Sequence, residues 1–454
     1  MGRKKKKRGE RPFSLAPVVA LLHQHLSESA CQEVFRDIRD KERERDWTLH
    51  ALAEFWLAVV IEAPPALSHL LGRTRLDREG LLPQVMASDS AFYQRCQTLS
   101  SSFFFALYVN FIESLQKSAL EIYAPKVQHL KKRFSGIQII DGSRLDVIAH
   151  RLKILRRQEA AILPGCLTAL YDIFRGYAVQ LWFDPDAAAS EYTRARLVLE
   201  TLSPRELILG DRLYCSLELF EILEKVHAFG LFRLKKNLKV VEVERLSSEK
   251  EDGALIEDWL VDVGAEGKPT RLRRITIKKR GKEHAALTNV LDPELLSAED
   301  VTTLYPMRWQ VERLFYDLKE ILNLHHFYLA NPNGVAMQVY AAAMVHSAFR
   351  VAQGLIAQRQ RIAAEDLSPK KLYPRLATAS KAVVEAELVF DQVEEVNKRR
   401  LKKPDWTGIP KTQVFLKDLL VRRRSGPRRR RGFSKERTKW KSLKHIRGSK
   451  RLLN

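Results

Sequence analysis

The chain has 454 residues, 45% of them hydrophobic, with a net charge of +23; this is enough apolar material for roughly two to four packed domains and excludes a disordered chain. Its cysteines, Cys31, Cys96, Cys166 and Cys215, are scattered with no C-x2-C pair, which argues against a zinc site or a disulfide framework and fits a reducing cytoplasm. The basic excess points to a polyanionic partner.

The charge is concentrated at the ends. Residues 1–12 read as a basic arm, since MGRKKKKRGER holds seven basic side chains and one acidic one, and the tail 422–454 holds fifteen basic and one acidic. The ends therefore carry +6 and +14 and leave about +3 between them. Runs of like charge stay solvated and grip phosphate backbones whatever the sequence, although a solubility tail has the same composition. The stretch PFSLAPVVALL after the first arm imitates a secretion signal, but His23, Gln24 and His25 cut it short and no small-residue cleavage site follows. A cytoplasmic, nucleoid-associated protein is expected.

Residues 13–130 read as a helical N-terminal DNA-binding domain, with apolar positions spaced by three and four (Leu49, Leu52, Phe55, Trp56, Val59, Val60) and breaks at Pro64-Pro65 and Gly72. The stretch Ser88 to Phe111 fits either a DNA-reading helix or a plain helical bundle. Neither 96–112 nor 321–349 offers the roughly 20 unbroken apolar residues of a membrane span, so both read as buried helices and no membrane partner is expected.

From 131 to 236 the texture changes to short apolar runs. GIQIID (136–141), LTALYDIF and YAVQLWFD around Arg175-Gly176 predict three strands, the last two forming a hairpin. A helix over 189–202, the strand ELILGD (206–211), a helix over 216–230 ending on Gly230 and the strand LFRLKK complete a mixed α/β sheet. Residues 237–297 alternate polar and apolar and predict an inserted antiparallel β region. Helices return over 298–330 and 331–421, ahead of the basic tail.

Asp141 ends the first predicted strand and Asp211 the fourth, and carboxylates at adjacent strand ends share an edge where ligands commonly bind. Taken singly, each is as well explained by turn or helix capping. The segment YPMRWQVERLFYDLK is more specific. On one helix, unbroken from Trp309 to Leu324, Tyr305, Arg308, Glu312 and Lys319 would share a sector about 60° wide. Val311, Leu314, Phe315, Leu318, Ile321 and Leu322 would bury on another face.

Those four residues fit Y-x2-R-x3-E-x6-K, and the chain thereby resembles a large family of bacterial insertion-sequence DDE transposases with a ribonuclease H-like catalytic core. The order IIDGS, LILGDRLY, β insertion and signature helix follows the same family. The resemblance implies that Asp141, Asp211 and Glu312 are catalytic carboxylates holding two magnesium or manganese ions. It implies that Tyr305, Arg308 and Lys319 bind DNA phosphates and that cut-and-paste proceeds through a DNA hairpin with a base turned out onto an aromatic ring; Trp259, the tryptophan of the β insertion, is the candidate. Double-stranded DNA, at the element ends and at the target, and a homodimer in the DNA complex are the implied partners. The competing readings are a metal-dependent nuclease with the same core and a catalytically silent DNA-binding protein. Asp184, Asp186 and Asp317 are the reserve carboxylates, and His325 and His326 read as structural.

Overall fold

The computed structural model describes residues 12–16, 25–76, 81–118, 121–145, 165–251, 253–264, 267, 269–397 and 408–421; both charged arms lie outside this set. The first described segment is a short strand, β1 (Pro12–Ser14), where helix was expected, because it pairs antiparallel with β11 (Gln413–Phe415) near the other end. Helices α1 (Glu28–Ile38), α2 (Leu49–Glu62), α3 (Asp89–Thr98) and α4 (Ser102–Ser118) follow. Ser27, Thr48 and Ser88 cap the first three by accepting from backbone amides of the first turn.

The apolar faces of these helices share a core with α9 (Pro332–Gln360), a helix of 29 residues buried almost throughout. Its run of small residues, Ala341, Ala342 and Ala343, lets neighbours approach from several sides, and it packs on α2, α3, α4 and the sheet. Of the two stretches expected as buried helices, 96–112 falls in α3 and α4, whereas 321–349 is buried helix only from Pro332 onward and carries the exposed His325 and His326 in the loop before it. Among the described residues no helix is long and apolar enough to cross a membrane.

The sheet has nine strands. β2 (Gly136–Arg144), β3 (Cys166–Asp172) and β4 (Tyr177–Asp184) form a meander, with Gly176 at φ +77° turning the second hairpin under the Tyr123 ring. After α5 (Glu191–Leu199), β5 (Glu206–Gly210) pairs parallel to β2; after α6 (Leu217–Lys225), β6 (Phe229–Arg233) pairs parallel to β5. The expected insertion is four antiparallel strands, β7 (Val240–Glu251), β8 (Ala254–Val263), β9 (Thr270–Lys279) and β10 (Lys282–Thr288), and β10 pairs with β6. The insertion therefore extends the main sheet, in the order β4-β3-β2-β5-β6-β10-β9-β8-β7.

Several expected boundaries move. The helix expected over 216–230 stops at Lys225, because His227 at φ +56° reverses the chain, and Gly230 lies in β6 opposite Ile208. The helix over 189–202 shortens to Glu191–Leu199. Strand β2 runs three residues past Asp141, since β3 keeps pairing with it out to Arg144. Beyond 298 the chain folds as α7 (Ala298–Leu304), a 3₁₀ turn (Tyr305–Arg308), α8 (Trp309–Tyr316) and a π-turn (Asp317–Ile321), then α9 and α10 (Pro369–Asn397). The unbroken helix expected from Trp309 to Leu324 is thus interrupted; of its expected apolar face Val311, Leu314, Phe315, Leu318 and Leu322 are buried and Ile321 is half-buried.

Candidate active site

Parallel pairing of β2 with β5 matches Ile139 to Leu209, and two residues further along each strand come Asp141 and Asp211. The pairing puts the two carboxylates at the same end of neighbouring strands, where open α/β sheets bind ligands. Asp211 folds its Oδ1 back onto the amide of Leu213 at 2.6 Å, and Asp141 Oδ1 accepts from the amide of Gly142 at 3.0 Å.

The 3₁₀ turn and α8 cross this edge. Arg308 donates from one end of its guanidinium to Asp141 Oδ2 at 3.4 Å and from the other to Glu312 Oε1 at 3.0 Å, so the signature arginine joins the strand carboxylate to the helix carboxylate. Tyr305 donates its hydroxyl to the carbonyl of Gly210 at 3.3 Å, directly before Asp211, and burial pushes its own pKa up to about 12. Lys319 is buried; its Nζ donates to Ser143 Oγ at 2.7 Å and to the Arg144 carbonyl at 2.5 Å, and burial lowers its pKa.

A further carboxylate, Glu191, stands here that spacing did not single out. It opens α5, accepts from the buried Tyr214 hydroxyl, and packs so closely on Gly142 that a Cβ there would lie 2.6 Å from its carboxyl carbon. Burial, and then the Glu191 charge, with Asp211 adding to it, push the Asp141 carboxyl up to about 7 against the pull of Arg308. A glutamate in the first turn of a helix is also what helix-dipole stabilisation selects, so its sequence context carried no distinguishing signal. Tyr214 sits within the LILGDRLY segment and was equally unmarked.

Comparison with known proteins bears on this arrangement. Residues 167–347 match the model of a transposase DDE domain, a span that includes Asp211, Glu312 and the whole signature and begins after Asp141. A protein of Sinorhizobium fredii named as a transposase is 31% identical over 151 residues, covering 32% of this chain and 42% of the relative. Proteins named as insertion-sequence transposases from Geobacillus stearothermophilus (23% over 150 residues, 32% of this chain and 39% of the relative) and Synechocystis (25% over 141 residues, 30% and 38%) match similarly. Over these spans the chain is similar to a transposase DDE domain and to proteins named as insertion-sequence transposases. It spans about two fifths of the length of the curated relatives it matches.

The donor chemistry at this edge fits a hard divalent cation: oxygen ligands only, and a partly buried Asp141 whose ionised form is disfavoured by burial and by neighbouring negative charge. Among the described residues no three such groups are already gathered into a metal cluster, with Arg308 lying between Asp141 and Glu312. The reserve carboxylates have other partners. Asp184 pairs with Arg194, Asp186 caps its own loop at the Ala188 amide, and Asp317 is buried against His346. His325 donates from Nδ1 to the Lys319 carbonyl, 2.5 Å away.

Trp259 lies in β8, paired with Arg245 and Arg274, half-buried against the core with the Arg245 guanidinium over its ring. Trp309, by contrast, follows Arg308 directly, is 61% exposed and has that guanidinium 4.9 Å from its ring centre. In the sequence Trp309 is one more residue of the signature helix, and an aromatic ring directly after the arginine is the only local signal it carries.

Proposed function

We propose that the chain is a DNA transposase that binds the ends of an insertion sequence, cleaves them with divalent metal and joins them to target DNA. The observation that carries this reading is the Arg308 bridge, which draws Glu312 of the signature helix to Asp141 on the strand beside Asp211. The β4-β3-β2-β5-β6 part of the sheet supports a ribonuclease H-like core. Asp141, Asp211 and Glu312 would hold two magnesium or manganese ions, whose chemistry is to activate the attacking oxygen and stabilise the leaving one at a phosphate.

The remaining roles belong to the chain itself. Tyr305 fixes the β5 end ahead of Asp211, and Arg308 offers its fork to a phosphate as it now does to carboxylates. A cavity of about 660 Å³ lined by Ser143, Arg144, Thr168, Glu191 and Arg194 leaves room for the strand to be cut. If cleavage passes through a hairpin, a base must leave the stack, and the exposed Trp309 ring is better placed to receive it than Trp259. Residues 13–130 supply end recognition in this reading, and a homodimer bridges two ends.

Duplexes bearing the repeats that flank the gene, incubated with supercoiled target, give cut ends and joined products in magnesium and neither in EDTA. Cutting without joining would make the chain a nuclease; binding without cutting would make it a silent DNA-binding protein. The arms act on phosphates: removing residues 422–454 takes away +14, which weakens binding to unrelated duplex and flattens the dependence of log K on log salt, while sequence preference survives. An unchanged salt slope would show that the tail does not touch DNA.

A further inference from the structure

The helix bearing the signature lysine changes pitch where the lysine meets the β2 end. Helix α8 is regular to Tyr316, and the turn from Asp317 then widens, with the Leu322 amide donating to the Asp317 carbonyl at 2.9 Å, five residues back. The extra residue in this π-turn re-aims every side chain within it relative to an α-helix. π-turns are rare, occur mostly as single turns inside α-helices, and are frequent at functional sites. Here the residue re-aimed inward is Lys319, whose amine ties down Ser143 and the Arg144 carbonyl, two and three residues beyond Asp141.

Behind the π-turn is a buried ionisable pair that the catalytic reading leaves unused. The Asp317 carboxylate faces His346 Nε2 of α9 at 3.7 Å, with both side chains almost wholly buried. At that distance the contact is electrostatic, and neither ring nitrogen of His346 has a direct hydrogen-bond partner. A cavity of about 90 Å³ beside them, lined also by Arg350 and Gln353, is roomy enough for bridging water. One turn along α9, the partly buried Arg350 donates to the Gly176 carbonyl at 2.6 Å and to Gln353 at 2.7 Å, anchoring α9 to the β3–β4 hairpin. An apolar pair would fill this place at least as stably, since burying charges costs about as much as their attraction returns. The pair is better explained by geometry it enforces than by stability.

We propose that Asp317 and His346 are positioning residues: their buried contact fixes the π-turn, and the π-turn aims Lys319 as a strut that holds the Asp141 end of β2 in place. This rests on the reading of Asp141 as a site carboxylate, but the strut itself is testable without it. In the full-length chain, acylation of lysines by an acetic acid N-hydroxysuccinimide ester, read by peptide mass spectrometry, compares Lys319 with the exposed Lys278. Lys319 is protected in the wild type; Asp317→Ala and His346→Ala each raise its labelling about tenfold or more while Lys278 is unchanged, and Asp317→Asn, which still faces the imidazole with an oxygen, restores most of the protection. Cleavage supplies the second readout. Asp317→Ala slows cutting with little change in DNA affinity, yet has less than about a twofold effect in a Lys319→Ala background, because residues acting through one contact are not additive. A thermal unfolding transition on each variant separates misfolding from mispositioning, and His346→Gln repeats the test if Asp317→Ala does not fold. Protection of Lys319 in both alanine variants, or multiplicative losses in the double variant, overturns the proposal. If the wild type cuts no DNA, the transposase reading falls while the labelling still decides the strut.

Discussion

Two arginine–aspartate pairs show how differently this chain uses the same chemistry. In the β insertion, Arg273 of β9 and Asp258 of β8 are 0% and 2% exposed, and all three guanidinium nitrogens donate: Nε to Oδ1 and Oδ2 at 2.8 and 3.1 Å, Nη2 to Oδ2 at 2.5 Å, and Nη1 to the Leu296 carbonyl at 2.6 Å. The pair clamps two insertion strands to the segment leading into α7. At the sheet edge, Arg308 and Asp141 are 11% and 16% exposed, and the arginine divides itself between two carboxylates while Glu191 and Asp211 add to the negative field. The first pair is saturated and closed. The second leaves negative charge uncompensated, which is the condition for receiving a cation.

The sharpest test of that contrast is kinetic. Asp141→Ala, Asp211→Ala and Glu312→Gln should each lower metal-dependent cleavage by about a thousandfold or more, since a lost metal ligand removes stabilisation that develops in the transition state. Binding to element ends, measured by gel shift, should persist. A variant that cuts at near wild-type rate would remove its residue from the site. The closed pair should behave oppositely: Arg273→Ala strands a buried carboxylate and should cost about 3–5 kcal/mol of stability, seen in denaturant melts. Asp258→Leu combined with Arg273→Met should recover much of it. Recovery would show that the clamp needs filling more than charge.

The contrast was only partly legible beforehand. Alternation and turn signals located the core strands, and the Y-x2-R-x3-E-x6-K spacing located Arg308 and Glu312, because these are local patterns with a fixed period. Asp258 and Arg273 lay inside ordinary alternating strands, and nothing local distinguishes a buried ionic clamp from two solvated charges. Glu191 met Asp141 only through the packing of α5 on Gly142, a contact between residues 49 positions apart. The pitch changes on either side of α8 were hidden for the same reason. Helical periodicity describes the chain's preference, and the contacts of Tyr305 with Gly210 and Lys319 with β2 override it.

A smaller effect follows from the crowding at Asp141. Its folded carboxyl titrates at about 7, whereas an unfolded aspartate titrates near 4. For an acid whose folded pKa is raised, stability present at low pH is lost as pH rises between those values, because the folded protein must give up a proton it holds more tightly. In metal-free protein, Asp141→Asn should therefore raise stability at pH 8 by about 1–2 kcal/mol, less than the full linkage because Arg308 loses a partner, with no gain below pH 4. A destabilised Asn variant at pH 8 would mean that the Arg308 bridge outweighs the crowding, and the open pair would then resemble the closed one.

The smallest effect is expected one residue from the clamp. Glu257 precedes Asp258 on β8 and so points to the other face of the sheet, where it meets Lys278 at 2.6 Å and Arg245 at 3.6 Å with its partners about half exposed. The distance to lysine is within 0.1 Å of the shortest in the clamp, 2.6 against 2.5 Å. Solvent and salt nevertheless screen the attraction, and ordering two long side chains offsets what remains. Glu257→Gln should therefore leave the unfolding midpoint unresolved from wild type, and any residual difference should disappear in 1 M salt, whereas the loss in Arg273→Ala should persist there. A salt-resistant loss for Glu257→Gln comparable to that of Arg273→Ala would show that burial is not what separates the two faces of this strand.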